Sequence, residues 1–154
     1  MRRKDRERDR DFALTVTDKC EYATLALVCA DRTPYCVPIT IVRIGNAVYF
    51  HGAKAGRKAE LLARNPAVCL SCVGNTKHLE DEFSTEYESA VVFGTASEVT
   101  DRAEKTAALR ALCERHTPAF MGHFDSELER SFDVTAVWKI AIDEITGKAK
   151  VKNA

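Results

Sequence analysis

A β-branched run, a Gly-Asn pair and a second apolar run narrow what this chain can fold into more than any other feature. Residues 35–44 carry Val37, Ile39, Ile41, Val42 and Ile44, residues 47–52 form the second run, and Gly45-Asn46 separates them. Side chains stiff at χ1 pack well on a pleated surface, and a two-residue Gly-Asn connection closes tight hairpins. The spacing predicts a hairpin over 35–52. Small residues follow (Gly52-Ala53-Lys54-Ala55-Gly56), and then Arg57-Lys58-Ala59-Glu60-Leu61-Leu62-Ala63-Arg64, read as an amphipathic helix over 56–64. Asn65-Pro66 ends it, because proline disfavours helical geometry at the residue before it.

A small-residue loop thus delivers a strand into a helix whose first turn holds two adjacent cations. Helix starts expose unpaired N–H groups and carry a partial positive charge. With Arg57 and Lys58 beside it, this corner suits a phosphate, gripped by Arg as a fork and by Lys as a point charge. The same two residues also read as ordinary solvated helix positions, and cations at a helix start are slightly unfavourable without an anion nearby. Composition leaves both readings open.

A length of 154 residues suits a single domain, 1–154, with a proper core. Residues 1–10 alternate basic and acidic and read as a helix start or a flexible charged arm. Lys plus Arg equals Asp plus Glu at 23 each, so net charge implies no nucleic-acid or membrane partner. No apolar stretch approaches a membrane span, and the N-terminus is charged where a secretion signal would be apolar, so a cytoplasmic protein is expected. Its six cysteines are then expected as reduced thiols. Cys69 and Cys72 spell Cys-x-x-Cys, but they fall on an apparent strand over 67–73, where residues three apart face opposite ways, so no metal site is expected.

Elsewhere the pattern predicts a strand over 23–30, a turn over 31–34, and a polar, acidic loop over 74–86 in which His78 is a surface residue. A strand over 88–100 bends at Gly94. A helix over 103–116 is capped by Asp101 and Glu104 as a capping box, with Ala107, Leu109, Leu112 and Cys113 as its apolar side. Residues 119–133 read as an irregular covering segment, and 134–142 as a final strand. At least six strands and two or three helices, without βαβ alternation or Gly-x-Gly-x-x-Gly, disfavour a Rossmann sheet and favour a mainly β antiparallel barrel with peripheral helices.

The order strand, Gly-Asn turn, Tyr49-Phe50-His51-Gly52-Ala53, Gly56-Arg57-Lys58, Leu61-Leu62, Asn65-Pro66 resembles the flavin-binding segment of the pyridoxamine 5'-phosphate oxidase-like split barrels. His51 in that string is similar to the nitroimidazole-resistance (Nim) branch. Further matches are Met1-Arg2-Arg3-Lys4-Asp5-Arg6, Tyr87 to Gly94, Trp138-Lys139-Ile140, and Glu144 to Lys148. The resemblance implies a split β-barrel of the flavin-reductase type holding FMN at a homodimer interface. In that arrangement the isoalloxazine lies along Cys36, Val37, Pro38, Ile39 and Thr40 to Ile41, bonded mainly by backbone. Arg57 and Lys58 hold the phosphate, with His51, Gly52 and Ala53 lining its approach and Gly56 leaving room for the main chain.

The resemblance also implies an FMN-dependent oxidoreductase reducing nitro compounds, with a nicotinamide or other reductant as electron source. His51 becomes the catalytic candidate, since nitro reduction consumes protons. Trp138 is a candidate for the dimer seam or for the core. Pyridoxamine-phosphate oxidation is disfavoured, because that family ends Arg-Leu-x-Pro and this chain ends Gly147-Lys148-Ala149-Lys150-Val151-Lys152-Asn153-Ala154. A haem-binding barrel using His116 or His123, a non-catalytic flavin binder and a plain dimeric scaffold remain the competing readings.

Overall fold

The computed structural model describes residues 2–151; Met1 of the charged arm and residues 152–154 of the tail lie outside the described residues. Eight strands form one antiparallel sheet: β1 (Glu7–Arg8), β2 (Ala23–Val28), β3 (Pro34–Ile39), β4 (Val42–Ile44), β5 (Ala47–Ala53), β6 (Ala67–Leu79), β7 (Ser84–Glu98) and β8 (Thr135–Lys150). Four α-helices accompany them: α1 (Arg10–Lys19), α2 (Arg57–Arg64), α3 (Arg102–His116) and α4 (Phe124–Ser131). The sheet order is β3-β2-β6-β7-β8-β5-β4, with β1 added to β8.

The two edge strands, β3 and β4, follow one another in the chain with only Thr40 and Ile41 between them. Such a connection spans at most about 11 Å, so the sheet has to curl until its ends nearly meet. This makes a barrel that is open along one seam, the split antiparallel architecture that the sequence implied. It also corrects the expected hairpin over 35–52. The β-branched run is broken at Thr40-Ile41: its first half pairs with β2, and only β4 pairs with β5, Val42 opposite Tyr49. Pro34 and Pro38 are tolerated because β3 is an edge.

Alternation along the strands sorts the side chains. Leu25, Leu70 and Val92, paired across β2, β6 and β7, are fully buried inside the barrel with Phe50, Ile41, Val48 and Ile140. α1 adds Ala13, Val16 and Thr17 to that core, and α2 adds Leu61 and Leu62. A second, smaller core lies outside the barrel, where α3 covers Val42, Tyr49 and Val137 with Ala108 and Leu112. Trp138 belongs to the barrel core and is only 6% exposed.

Several local expectations change. Residues 74–86 are not a loop: most of them extend β6 and β7 into a long hairpin, with Lys77 opposite Glu86 and His78 opposite Thr85. Residues 119–133 hold a 3-10 helix, Pro118–His123, followed by α4. The last strand continues to Lys150 rather than stopping at Ile142. The charged start is a 3-10 turn, Lys4–Arg6, leading into β1. Asp101 does cap α3, accepting from the Glu104 N–H at 2.7 Å, but Glu104 does not return the bond. Its carboxylate instead accepts from Tyr49 Oη at 2.7 Å and Lys139 Nζ at 2.8 Å. The buried face of α3 runs through Lys105, Ala108 and Leu112, and Lys105 is accommodated by donating to the Phe132 and Thr135 carbonyls at 2.7 and 2.6 Å.

The break between β3 and β4 leaves the Ile41 carbonyl outside the ladder, and α3 satisfies it. Arg115 Nη1 and His116 Nε2 each donate to it at 2.9 Å. The same guanidinium donates to the carbonyls of Thr17 and Cys20 at the end of α1, at 3.4 and 2.6 Å. One side chain therefore ties three segments together. Arg115→Met keeps the apolar stem and removes the donors; each carbonyl left short of a partner costs about 1–3 kcal/mol. The expected result is a lower urea midpoint with an unchanged m-value, whereas an unchanged midpoint would mean water replaces the guanidinium at no cost.

Candidate functional site

The corner singled out in the sequence is assembled from the end of β5, the 54–56 bend, the start of α2 and the free edge of β3. Gly56 occupies the N-cap of α2 with φ 114°, a region open chiefly to glycine, and no side chain caps the helix. The first N–H groups of α2 therefore lack a side-chain acceptor.

Lys58 is half-buried, with Nζ 5.2 Å from the centroid of the Phe50 ring. It lies against Gly52, where a Cβ would stand 3.0 Å from Lys58 Nζ. Burial pushes the Lys58 pKa below its ordinary 10.5. Arg57 turns towards the β2–β3 hairpin, its guanidinium 4.7 Å from the Tyr35 ring centroid and Nη2 3.5 Å from Cys29 Sγ. Among the described residues, neither cation forms an ion pair within 4.0 Å. The two bracket the helix start from different walls rather than pointing at one another.

Of the expected β3 residues, Ile39 is buried, Val37 half-buried, and Cys36, Pro38 and Thr40 are exposed. β3 pairs only with β2, so its other edge offers backbone groups to a ligand. Ala53 ends β5 opposite Thr135.

His51 leaves β5 on the face opposite to Phe50 and Gly52, the face that carries Tyr49 towards α3. It keeps solvent access, yet surrounding protein, ahead of the charges on Lys58 and His116, holds its pKa below the ordinary 6.5. It is therefore neutral at pH 7 and contributes stability that is lost as pH falls below 6.5, where the unfolded chain takes up the proton first. NMR titration should find the His51 midpoint below 6.5, and Lys58→Met should raise it without restoring the full value, since burial is the larger cause. No change in the variant would show that the Lys58 charge does not reach the ring.

Sequence reasoning missed Cys29 and Tyr35 as neighbours of Arg57. Tyr35 was findable as the residue adjoining Cys36 on the same edge strand. Cys29 was not, since it lies 28 residues from Arg57 with no local pattern linking them. His116, once a candidate ligand, uses Nε2 on Ile41, and His123 stacks on Phe120 at 4.5 Å. β6 places Cys69 on the outer face and Cys72 inside.

A curled antiparallel sheet split between consecutive edge strands, with a cationic helix start at Gly56 beside the opening, is a split barrel. The chain belongs to the pyridoxamine 5'-phosphate oxidase family, whose model matches residues 9–149. Curated proteins give no match. Among solved structures, it is similar to a candidate 5-nitroimidazole antibiotic resistance protein of Bacteroides thetaiotaomicron (24% identity, 92% of this chain and 84% of that one, TM-score 0.74). It is also similar to an FAD- and haem-binding protein of Mycobacterium smegmatis (26% identity, 92% and 71%, TM-score 0.75). A third is an FAD-binding protein of Mesorhizobium loti (20% identity, 95% and 98%, TM-score 0.67). No helix among the described residues is long and apolar enough to cross a membrane.

Proposed function

We propose that this chain is a cytoplasmic FMN-binding reductase of the nitroimidazole-resistance type, working as a homodimer. The observation that carries the reading is Lys58: a half-buried cation, without a carboxylate, fitted against Gly52 beside an uncapped helix start. A buried charge needs a counter-charge, and a phosphate supplies one. Arg57 and Lys58 hold that group, Gly52, Ala53 and Gly56 let backbone approach it, and the free edge from Cys36 through Val37, Pro38 and Ile39 to Thr40 offers main-chain bonds to the ring system. Held there, FMN would supply two-electron chemistry between a nicotinamide and a nitro compound.

His51 leaves β5 on the face away from Gly52 and would meet a bound flavin only from the far side of that strand. Being neutral at pH 7, it acts there as an acceptor or a relay for water rather than as a standing imidazolium. His51→Ala should leave the fold intact and slow turnover; unchanged turnover removes the residue from the chemistry.

The second copy is supported by the uncovered face of β3-β2-β6-β7. Cys36, Ala26, Cys69 and Phe93 form one row across four strands, and Pro38, Thr24, Ser71 and Val91 form the next. Val28, Val73 and Phe93 on that face are 45%, 49% and 47% exposed, an apolar surface of the kind that oligomers cover. The β3 edge borders it, so a partner subunit there would form the far wall of the flavin site.

The absorbance spectrum of the purified protein is the test. A flavin spectrum that bleaches with NADH or NADPH, faster when a nitroaromatic is added, is the expected result. Flavin without such bleaching leaves a binder, a Soret band marks a haem protein, and a colourless protein that takes up no added FMN overturns the proposal.

A further inference from the structure

Away from the corner, β6 and β7 outrun their neighbours and continue as a two-stranded ribbon. β2 begins at Ala23, opposite Cys72, and β8 ends at Lys150, opposite Tyr87. Past those points Lys77 pairs with Glu86, His78 with Thr85 and Leu79 with Ser84, and residues 80–83 turn at the tip. Phe83 is fully exposed there, after three acids, Glu80, Asp81 and Glu82. A lone two-stranded ribbon is marginally stable, and a ring standing wholly in solvent steadies nothing in its own chain.

The base of the ribbon carries a notch. Because β2 starts late, the β6 edge beyond Cys72 has no strand beside it on that side among the described residues. Tyr22 stands one step beyond the Ala23–Cys72 pair, where the register sets it on the same face as Val73. The two are 56% and 49% exposed. With Lys19, Thr24, Ser71 and Gly74 they line a space of about 490 Å³. The chain's own tip does not reach it, since Val73 lies about 20 Å along β6 from Leu79, the last paired residue before the turn.

We infer that the ribbon is a dimerisation arm whose Phe83 seats between Tyr22 and Val73 of a second copy of this chain. The inference rests on the homodimer reading above and adds which surfaces meet. Two ribbons laid antiparallel put each tip at the other's base, so one twofold axis generates both contacts. An aromatic anchor in a small pocket with a polar rim is how such contacts concentrate their binding energy. The rims carry opposite charge: Glu80 and Asp81 precede the ring at the tip, while Lys19 lines the notch and Lys77 stands next along the ribbon. Lys19 already has Glu88 as a partner within the chain, and Lys77 is exposed. Val73 also belongs to the uncovered β3-β2-β6-β7 face, so the notch and that face form one continuous surface.

The photo-reactive benzoylphenylalanine, placed at position 83 of the full chain, reports what the tip touches when light and isotope-labelled protein are mixed and irradiated. The expected cross-links join the tip to residues 19–24 or 71–76 of a differently labelled copy. By sedimentation, Phe83→Ser and Tyr22→Ser should each raise the dimer dissociation constant at least about tenfold. Combining them should add little, because each removes the same contact. Both side chains face solvent in the single chain, so circular dichroism should not change. Cross-links confined to the tip's own copy, or to other surfaces of the second copy, overturn the proposal. A dimer as tight in Phe83→Ser as in wild type also overturns it, while leaving the homodimer reading in place. Wild-type protein that stays monomeric at every concentration overturns both.

Discussion

Arg57→Ala combined with Lys58→Ala is expected to abolish the proposed flavin binding and to leave the barrel standing. Each charged contact to a phosphate is among the stronger single interactions available, so losing both should weaken FMN binding by about two to four orders of magnitude. The fold should hardly notice, because Arg57 is exposed and neither side chain forms an ion pair among the described residues. Removing Lys58 even relieves a half-buried charge that the flavin-free protein carries without compensation. Equilibrium dialysis with FMN and far-ultraviolet circular dichroism measure the two effects separately. Stoichiometric flavin retained by a folded double variant would place the phosphate elsewhere and remove the basis of the reductase reading. The single variants need not behave alike: Arg57→Ala also frees Tyr35 and Cys29, whereas Lys58→Ala empties the space that Gly52 leaves.

How far the sequence could be read depended on whether the deciding contacts were local. The helix over 56–64 is observed as Arg57–Arg64, because its start (Gly56) and its stop (Asn65-Pro66) are written in adjacent residues. Asp101 caps α3 for the same reason. The run at 35–44 was misread because nothing within it shows that Ile39 pairs with Ala23 while Val42 pairs with Tyr49. Residues 74–86 looked like a loop because their pairing is main-chain and both faces meet solvent there, so no apolar alternation is required. Lys105 hid the buried face of α3, since a lysine reads as solvent-facing until the Phe132 and Thr135 carbonyls that receive it are known. At the corner, residue types were legible from chemistry, but the directions of the Arg57 and Lys58 side chains depend on β2, β3 and β5 together.

Gly94→Ala is expected to be the most damaging single methyl that can be added to this fold. The β7–β8 pairing shifts register between Phe93 and Gly94, and the irregularity brings β8 backbone against the glycine. A Cβ at position 94 would lie 2.2 Å from the Ala141 carbonyl oxygen and 2.7 Å from Ile140 Cγ2. A flexible side chain could swing clear of a new methyl, but a carbonyl of β8 cannot. Its strand is held on the far side by β5, where Ala47 pairs with Ala141 and Val48 with Ile140. Overpacking of this kind costs about 3 kcal/mol or more, a fall in Tm of about 6–12 °C for a chain of this length. Gly45→Ala is the informative comparison. Gly45 has φ 59° but nothing within 4 Å of a new Cβ, so its variant carries only the left-handed backbone cost of about 1–2 kcal/mol. Thermal melts with flavin either saturating or absent in all samples compare the two fairly, since bound ligand raises Tm by itself. If Gly94→Ala melted no lower than Gly45→Ala, β8 would have to yield at Ala141, and the β7–β8 junction would be softer than its pairing implies.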